Sequence, residues 1–202
     1  MLPARLRLAL VALTMCAIAA VIGVTVATHA APPQRLQLTN GWAGAQRPVH
    51  EPVPKFSLED QNGERITSQS LKGKETVFAF VYSTCQDTCP AQVQTIRGAL
   101  DDTGADANVI GVSVDPAHDT PKLAKTFLLK QSMTGRMHFL LGTRAQLAPV
   151  WKAFGILPQT KALEHSAHVV LADANGFQRV GFPFDHLTPE GLAHDMARLA
   201  AS

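Results

Sequence analysis

Cys85 and Cys89 are the side chains of this sequence best suited to chemistry: two thiols spaced C-x-x-x-C, with Pro90 immediately after the second. Two sulfurs at that spacing can close into a disulfide by thiol–disulfide exchange, or grip one soft metal ion. Both options need thiolates. Pro90 suits the first helical position, so the pair is predicted to lie where a helix begins, and a helix N-terminus favours thiolate over thiol. The run before it (Val77, Phe78, Ala79, Phe80, Val81, Tyr82) is apolar, β-branched and aromatic, the pattern of a buried strand. The thiols are therefore expected on an exposed loop between a core strand and a helix, where open α/β sheets place their sites. The one other cysteine, Cys16, lies in an apolar N-terminal stretch. A single close pair cannot staple a framework, which points to reactive rather than structural sulfur.

The elements that must position these thiols follow from the rest of the chain. With 202 residues, 46% hydrophobic and 17% charged, it has enough apolar material for one ordinary domain with additions. Arg5 and Arg7 precede Leu8 to Thr28, 21 residues without a charge. That length crosses a hydrocarbon core of ~30 Å at ~1.5 Å per residue. Residues 1–30 thus read as a membrane anchor with the body outside the cytoplasm. A cleaved signal is the alternative, because Thr28-His29-Ala30 before Ala31 resembles a cleavage site. Residues 31–54 are rich in Pro and Gly and read as a linker or wrapping arm. Without Arg5 and Arg7 the charge is about balanced and no basic run appears, so nothing supports nucleic-acid binding.

In the body, residues 55–202, the order of elements is legible. Residues 56–58 and 65–67 form a hairpin across an Asn62-Gly63 turn. Strand 76–83 leads into the thiol loop and a helix over 90–103, and strand 109–114 follows. Thr120-Pro121 opens a helix to about 131. A short strand over 137–141 precedes a helix from Thr143 to Phe154, ended by Gly155. Strands 168–172 and 178–182 pair across Asp173 to Gly176, and Thr188-Pro189 starts the last helix, to about 200. Alternating strands and helices predict a layered α/β domain, and the unit from strand 76–83 to strand 109–114 is βαβ. The expected fold is thioredoxin-like, with an N-terminal β-hairpin and a central mixed sheet flanked by helices.

The residues over 55–199 resemble those of the Sco/SenC family. Its aromatic-x-tyrosine and C-x-x-x-C-P pattern stands here as Phe80-Val-Tyr82-Ser-Thr-Cys85-Gln-Asp-Thr-Cys89-Pro90. Its second signature is met by Ser113-Val-Asp115-Pro-Ala-His-Asp119-Thr-Pro121, and Glu164-His165-Ser166, eleven residues before Gly176, matches the segment of the family histidine. The resemblance implies a copper metallochaperone that holds Cu(I), with Cu(II) open, through Cys85, Cys89 and His165. It also implies delivery to the dinuclear copper centre of cytochrome c oxidase from the periplasmic face of the membrane. The implied partners are a copper-accepting oxidase subunit and an upstream copper donor or thiol-redox protein. Gln86 and His118 depart from common family residues; neither is an implied ligand.

Two thiolates and one imidazole form a soft, low-coordinate set suited to Cu(I), whereas structural zinc wants a fourth ligand. His165 and His168 are three apart. On a strand, odd spacing sends them to opposite faces, so only one can reach the thiols, and the family pattern selects His165. Asp87 is read as tuning the thiols or hydrogen-bonding their loop, and Asp115 as capping or bracing that loop rather than touching metal. The remaining histidines, His29, His50, His118, His138, His186 and His194, are read as surface. The competing function is a thiol–disulfide oxidoreductase in which Cys85 attacks a partner disulfide and Cys89 resolves it. That chemistry has no use for His165, and dithiol enzymes of this fold usually carry the shorter C-x-x-C.

Overall fold

The computed structural model describes residues 3, 12–18, 36–158 and 167–201. Residues 12–18 are helical. The expected anchor over 8–28 falls mostly outside the described residues, and among those described no helix is long and apolar enough to cross a membrane. A compact unit begins at Leu36.

That unit is built on strand β4 (Thr76–Val81), every residue of which is buried. A strand buried on both faces needs neighbours on both edges and layers above and below. β4 has them: β5 (Asn108–Ser113) runs parallel on one side and β7 (His168–Ala172) antiparallel on the other. The sheet continues through β6 (His138–Leu140) beyond β5, and through β8 (Gln178–Pro183) and β1 (Ala45–Gln46) beyond β7. β2 (Ser57–Glu59) and β3 (Arg65–Thr67) form the separate expected hairpin, with Gly63 at φ +82° in its turn.

The period of two along each strand divides the core. Val77, Ala79 and Val81 of β4 pack with Val169 and Leu171 of β7 on one face. There they meet helices α1 (Thr88–Thr103), α2 (Pro121–Lys130) and α4 (Pro189–Ala200). Phe78 and Phe80 point the other way, with Val170 and Ala172, into a layer made by α3 (Arg144–Phe154) and the hairpin residues Leu58 and Ile66. This is the mixed, helix-flanked α/β sheet expected of a thioredoxin-like fold. The expected caps are formed. Thr120, Thr143 and Thr188 accept from the backbone N–H of Leu123, Gln146 and Gly191 at 3.2, 3.3 and 3.0 Å.

Two elements differ from the sequence reading. α1 starts at Thr88 rather than Pro90, which draws Cys89 into its first turn. Proline is tolerated there because the first four N–H groups of a helix have no intrahelical acceptor. The stretch read as linker or wrapping arm is, from Trp42 onward, laid against the domain. Trp42 is buried under the Arg198 guanidinium, and the Asp195 carboxylate accepts from the N–H groups of Ala43 and Gly44. Pairing of β1 with β8 then covers the sheet edge.

Candidate metal and redox centre

The site is assembled at the carboxyl ends of β4 and β5. β4 runs out into Tyr82, Ser83 and Thr84 before Cys85, whose N–H bonds back to the Tyr82 carbonyl at 3.3 Å. Asp119 fixes this turn. One of its oxygens accepts from the N–H of Ser83 at 2.7 Å and from the Ser83 hydroxyl; the other accepts from the Ser113 hydroxyl at the end of β5. Burial pushes the Asp119 carboxyl above its usual range, opposed by these hydrogen bonds. Ser113 is held from behind as well, since Trp151 Nε1 of α3 donates to its carbonyl at 2.9 Å.

The brace is therefore Asp119, which sequence reasoning did not single out. The expected brace, Asp115, instead pairs with exposed His118 at 2.8 Å. A signal was present: Asp119 stands directly before the N-cap Thr120, at the point where the chain turns back from β5 towards the thiol loop. Asp87 is exposed and makes no side-chain cap to α1.

Neither sulfur is in a disulfide, and neither thiol is exposed in the manner expected of a loop pair. Cys85 keeps 6% of its surface and Cys89 none. The cause is the early start of α1, which rotates Cys89 into the layer of Val93 and Ile96. The two sulfurs are unequal. Cys85 is lowered to about 4, first because the Cys89 thiol hydrogen-bonds to it; against the cost of burial, the N–H groups of Asp87 and Cys89 and the Thr88 hydroxyl add to that effect. The N–H of Cys89 lies 3.3 Å from Cys85 Sγ, the helix N-terminus donating to the thiolate as anticipated. Cys89 is pushed the other way, by serving Cys85 as donor and by burial. Tyr82 is raised by burial and by its bond to Cys85, which keeps the phenol protonated as a donor.

His165 lies outside the described residues, so its expected place beside the thiols is not among these contacts. The strand it leads into is described. Val169 and Leu171 face the layer that contains Cys85 and Cys89, and Val170 and Ala172 face the opposite one. His168, by the same alternation, is on the side away from the thiols. Its surroundings agree: it is half-buried, and its basicity is lowered by burial and by the charge of Arg47, partly offset by Asp185. Arg47 itself reaches Phe154 and Gln178 on that opposite side.

Gln92 was not anticipated either. It is fully buried one turn beyond Cys89, and its Nε2 donates to the His168 carbonyl at 2.7 Å, tying α1 to the start of β7. Only the tertiary contact marks it.

Two histidines read as surface have structural partners. His138 Nδ1 is 2.9 Å from buried Asp60 and His194 Nδ1 is 2.8 Å from buried Asp195. Asp60, Glu64 and His138 also bring ligand atoms within 4.8 Å of one another. That group joins the hairpin to β6 and contains no sulfur. His50, His118 and His186 are exposed, as expected.

Comparison with known proteins agrees with this geometry. The SCO1/SenC family profile matches residues 44–201. The ScoI protein of Bradyrhizobium japonicum, whose structure was solved with copper bound, is 34% identical. It aligns over 73% of this chain and 98% of its own, at a TM-score of 0.62. A SCO1/SenC family lipoprotein of Bacillus anthracis is 25% identical over 77% of this chain and 99% of its own, at a TM-score of 0.69. A SCO2-like protein of Rickettsia typhi is 29% identical over 133 residues, 60% of this chain and 64% of its own length. A match that runs from the wrapping arm through the last helix takes in the thiol loop, its Asp119 brace and the strand beyond the histidine segment: this chain belongs to the SCO1/SenC family.

Proposed function

We propose that this protein is an extracytoplasmic copper carrier, anchored through residues 8–28. It takes up Cu(I) on Cys85, Cys89 and His165 and passes it by ligand exchange to the dinuclear copper centre of cytochrome c oxidase. The observation that carries the reading is the unequal thiol pair at the start of α1, facing the same layer as the odd-numbered residues of β7. Cys85, already a thiolate at neutral pH, meets the ion first. Cys89 then gives up its proton, because a thiol must be deprotonated to ligate. Its proton goes to solvent or to the donor protein's departing thiolate. An imidazole completes a soft set in which two sulfurs and one nitrogen leave room for an incoming thiolate. The copper-bound Bradyrhizobium ScoI supports copper as the cargo.

The test is titration of the reduced protein with Cu(I) against a competing chelator. One equivalent binds tightly; His165→Ala weakens binding while the dithiol still oxidises normally, and Cys85→Ser abolishes both. Unchanged affinity in His165→Ala would remove the third ligand.

One observation also favours a thiol–disulfide role for the same pair. A low-pKa Cys85 beside a buried, high-pKa Cys89 is the arrangement of an attacking and a resolving thiol. Reduction of the oxidase cysteines before metallation would use that arrangement, and it is compatible with carriage, since copper loading requires the reduced pair.

A further inference from the structure

Cys89 has no exposed surface and Cys85 very little, so whatever exchanges a ligand with this site must find a way to Cys85. Among the described residues, a cleft of about 230 Å³ opens onto it, with walls that include Thr84, Cys85, Pro90, Leu123, Phe127 and Lys130. One wall is α2, and its sequence is unusual for this domain. Between Pro121 and Lys130 it carries Lys122, Lys125 and Lys130 with no acidic residue. All three lysines are exposed, and none forms an ion pair among the described residues. Removing Arg5, Arg7 and Arg35 from the 18 basic residues leaves 15 against 16 acidic ones, so this concentration is local.

The spacing gives it direction. Lys122, Thr126 and Lys130 lie four apart and share one face of the helix; Thr126 and Lys130 both line the cleft. The stripe thus runs along the rim for ~12 Å, at ~1.5 Å per residue. Leu123, 37% exposed, and Leu129, 69% exposed, add apolar surface beside it. Diverging lysines spread along a helix do not converge on one small anion. An apolar floor with a charged rim is what a protein partner meets. The exposed carboxylate of Asp87, two residues from Cys85, opposes an acidic partner, but three lysines outnumber it.

We propose that the cleft beside Cys85 and the lysine stripe of α2 are the docking face for a partner protein that presents its acceptor cysteine within an acidic surface. The inference rests on the ligand-exchange function proposed above and adds the chemistry of the partner: acidic residues meet Lys122, Lys125 and Lys130 while an acceptor sulfur enters at Cys85. A membrane is the other anionic surface that lysines attract. It is disfavoured here because a bilayer lying on α2 would cover the cleft that opens onto Cys85.

The test compares the reduced protein with the triple variants Lys122→Gln/Lys125→Gln/Lys130→Gln and Lys122→Glu/Lys125→Glu/Lys130→Glu. The first measurement is exchange with two alkyl disulfides, the dianion dithiodipropionate and the dication cystamine. The Cys85 thiolate attacks one sulfur, a mixed disulfide forms and one probe thiolate leaves. Cys89 then loses its proton and displaces the second, which leaves the probe reduced and the Cys85–Cys89 pair oxidised. The ratio of the anionic to the cationic rate should fall in steps from the parent to the Gln to the Glu variant, by about tenfold overall at low salt. It should converge among the three at high salt. The second measurement is copper transfer to the apo soluble copper domain of the oxidase subunit. The Glu variant should be slowed about tenfold, with Cu(I) affinity unchanged.

A rate ratio indifferent to the lysines, together with unaltered transfer, overturns the proposal. So does a lysine effect confined to binding of phosphatidylglycerol vesicles. If the parent fails to load the oxidase domain while the disulfide ratio still follows the lysines, the docking face stands and the choice of recipient is what fails.

Discussion

Gln92 Nε2 and the carbonyl oxygen of His168 lie 2.7 Å apart, and through that bond the helix of Cys89 grips the first residue of the strand that follows the histidine segment. Gln92 is completely buried, and its Oε1 has no partner among the described residues. A buried amide that satisfies only half its hydrogen-bonding capacity is kept at a cost, and its use here is positional. In Gln92→Leu, of similar length but without the amide, the His168 carbonyl loses its donor. We expect a loss of about 1–3 kcal/mol in denaturant unfolding and weaker Cu(I) binding. If Gln92 acts through the histidine segment, its effect on copper affinity should vanish in a His165→Ala background. An effect that persists there would make it a matter of stability alone.

The second prediction separates the two histidines. His168 occupies the face of β7 away from Cys85 and Cys89, so His168→Ala should leave Cu(I) affinity within about twofold of the parent. His165→Ala should lower it at least tenfold, a loss of about 1.4 kcal/mol or more. Competition titrations of the two variants side by side decide this; equal losses would contradict the face assignment.

Alkylation reports the unequal thiols. In a Cys16→Ser background, iodoacetamide should modify Cys85 and spare Cys89 in the folded protein. The direction with pH follows from the lowered pKa: above it Cys85 is thiolate and reactive, and below it the sulfur is protonated and inert. Because the value lies at about 4, the rate should stay nearly level from neutral pH down towards 5 and fall only below that. A rate that climbs tenfold per pH unit between 6 and 8 would show an ordinary thiol near its reference pKa of about 8.5.

The fourth prediction concerns Asp119. It accepts from the N–H and hydroxyl of Ser83 and from the hydroxyl of Ser113, joining the ends of β4 and β5. Asp119→Ala leaves the part-buried N–H of Ser83 without its acceptor, for a loss of about 1–3 kcal/mol. Asp119→Asn, which keeps one oxygen, should recover part of it. Because Ser83 is two residues from Cys85, the alanine variant should also raise the pH at which alkylation begins. An unchanged alkylation profile would confine Asp119 to stability.

The proposed docking face makes one kinetic prediction of opposite sign: exchange with cystamine should be the one reaction that the Lys122→Glu/Lys125→Glu/Lys130→Glu variant speeds.

The sequence by itself determined the elements and the identity of the reactive pair. The run Val77 to Val81 could only be a core strand, because five buried apolar positions in a row leave no face for solvent. Thr120, Thr143 and Thr188 announced their helices because a cap is satisfied by the backbone two or three residues on, a purely local event. Cys85 and Cys89 were readable for the same reason, as their spacing and Pro90 are local. The tertiary structure decided everything that depends on residues far apart in the chain. It set the depth of Cys89, placed Asp119 rather than Asp115 under the thiol loop, joined Gln92 to His168, and folded the arm at Trp42 onto α4. These are matters of which layer a side chain enters once strands far apart in the chain have paired, and a window of neighbouring residues holds no record of that.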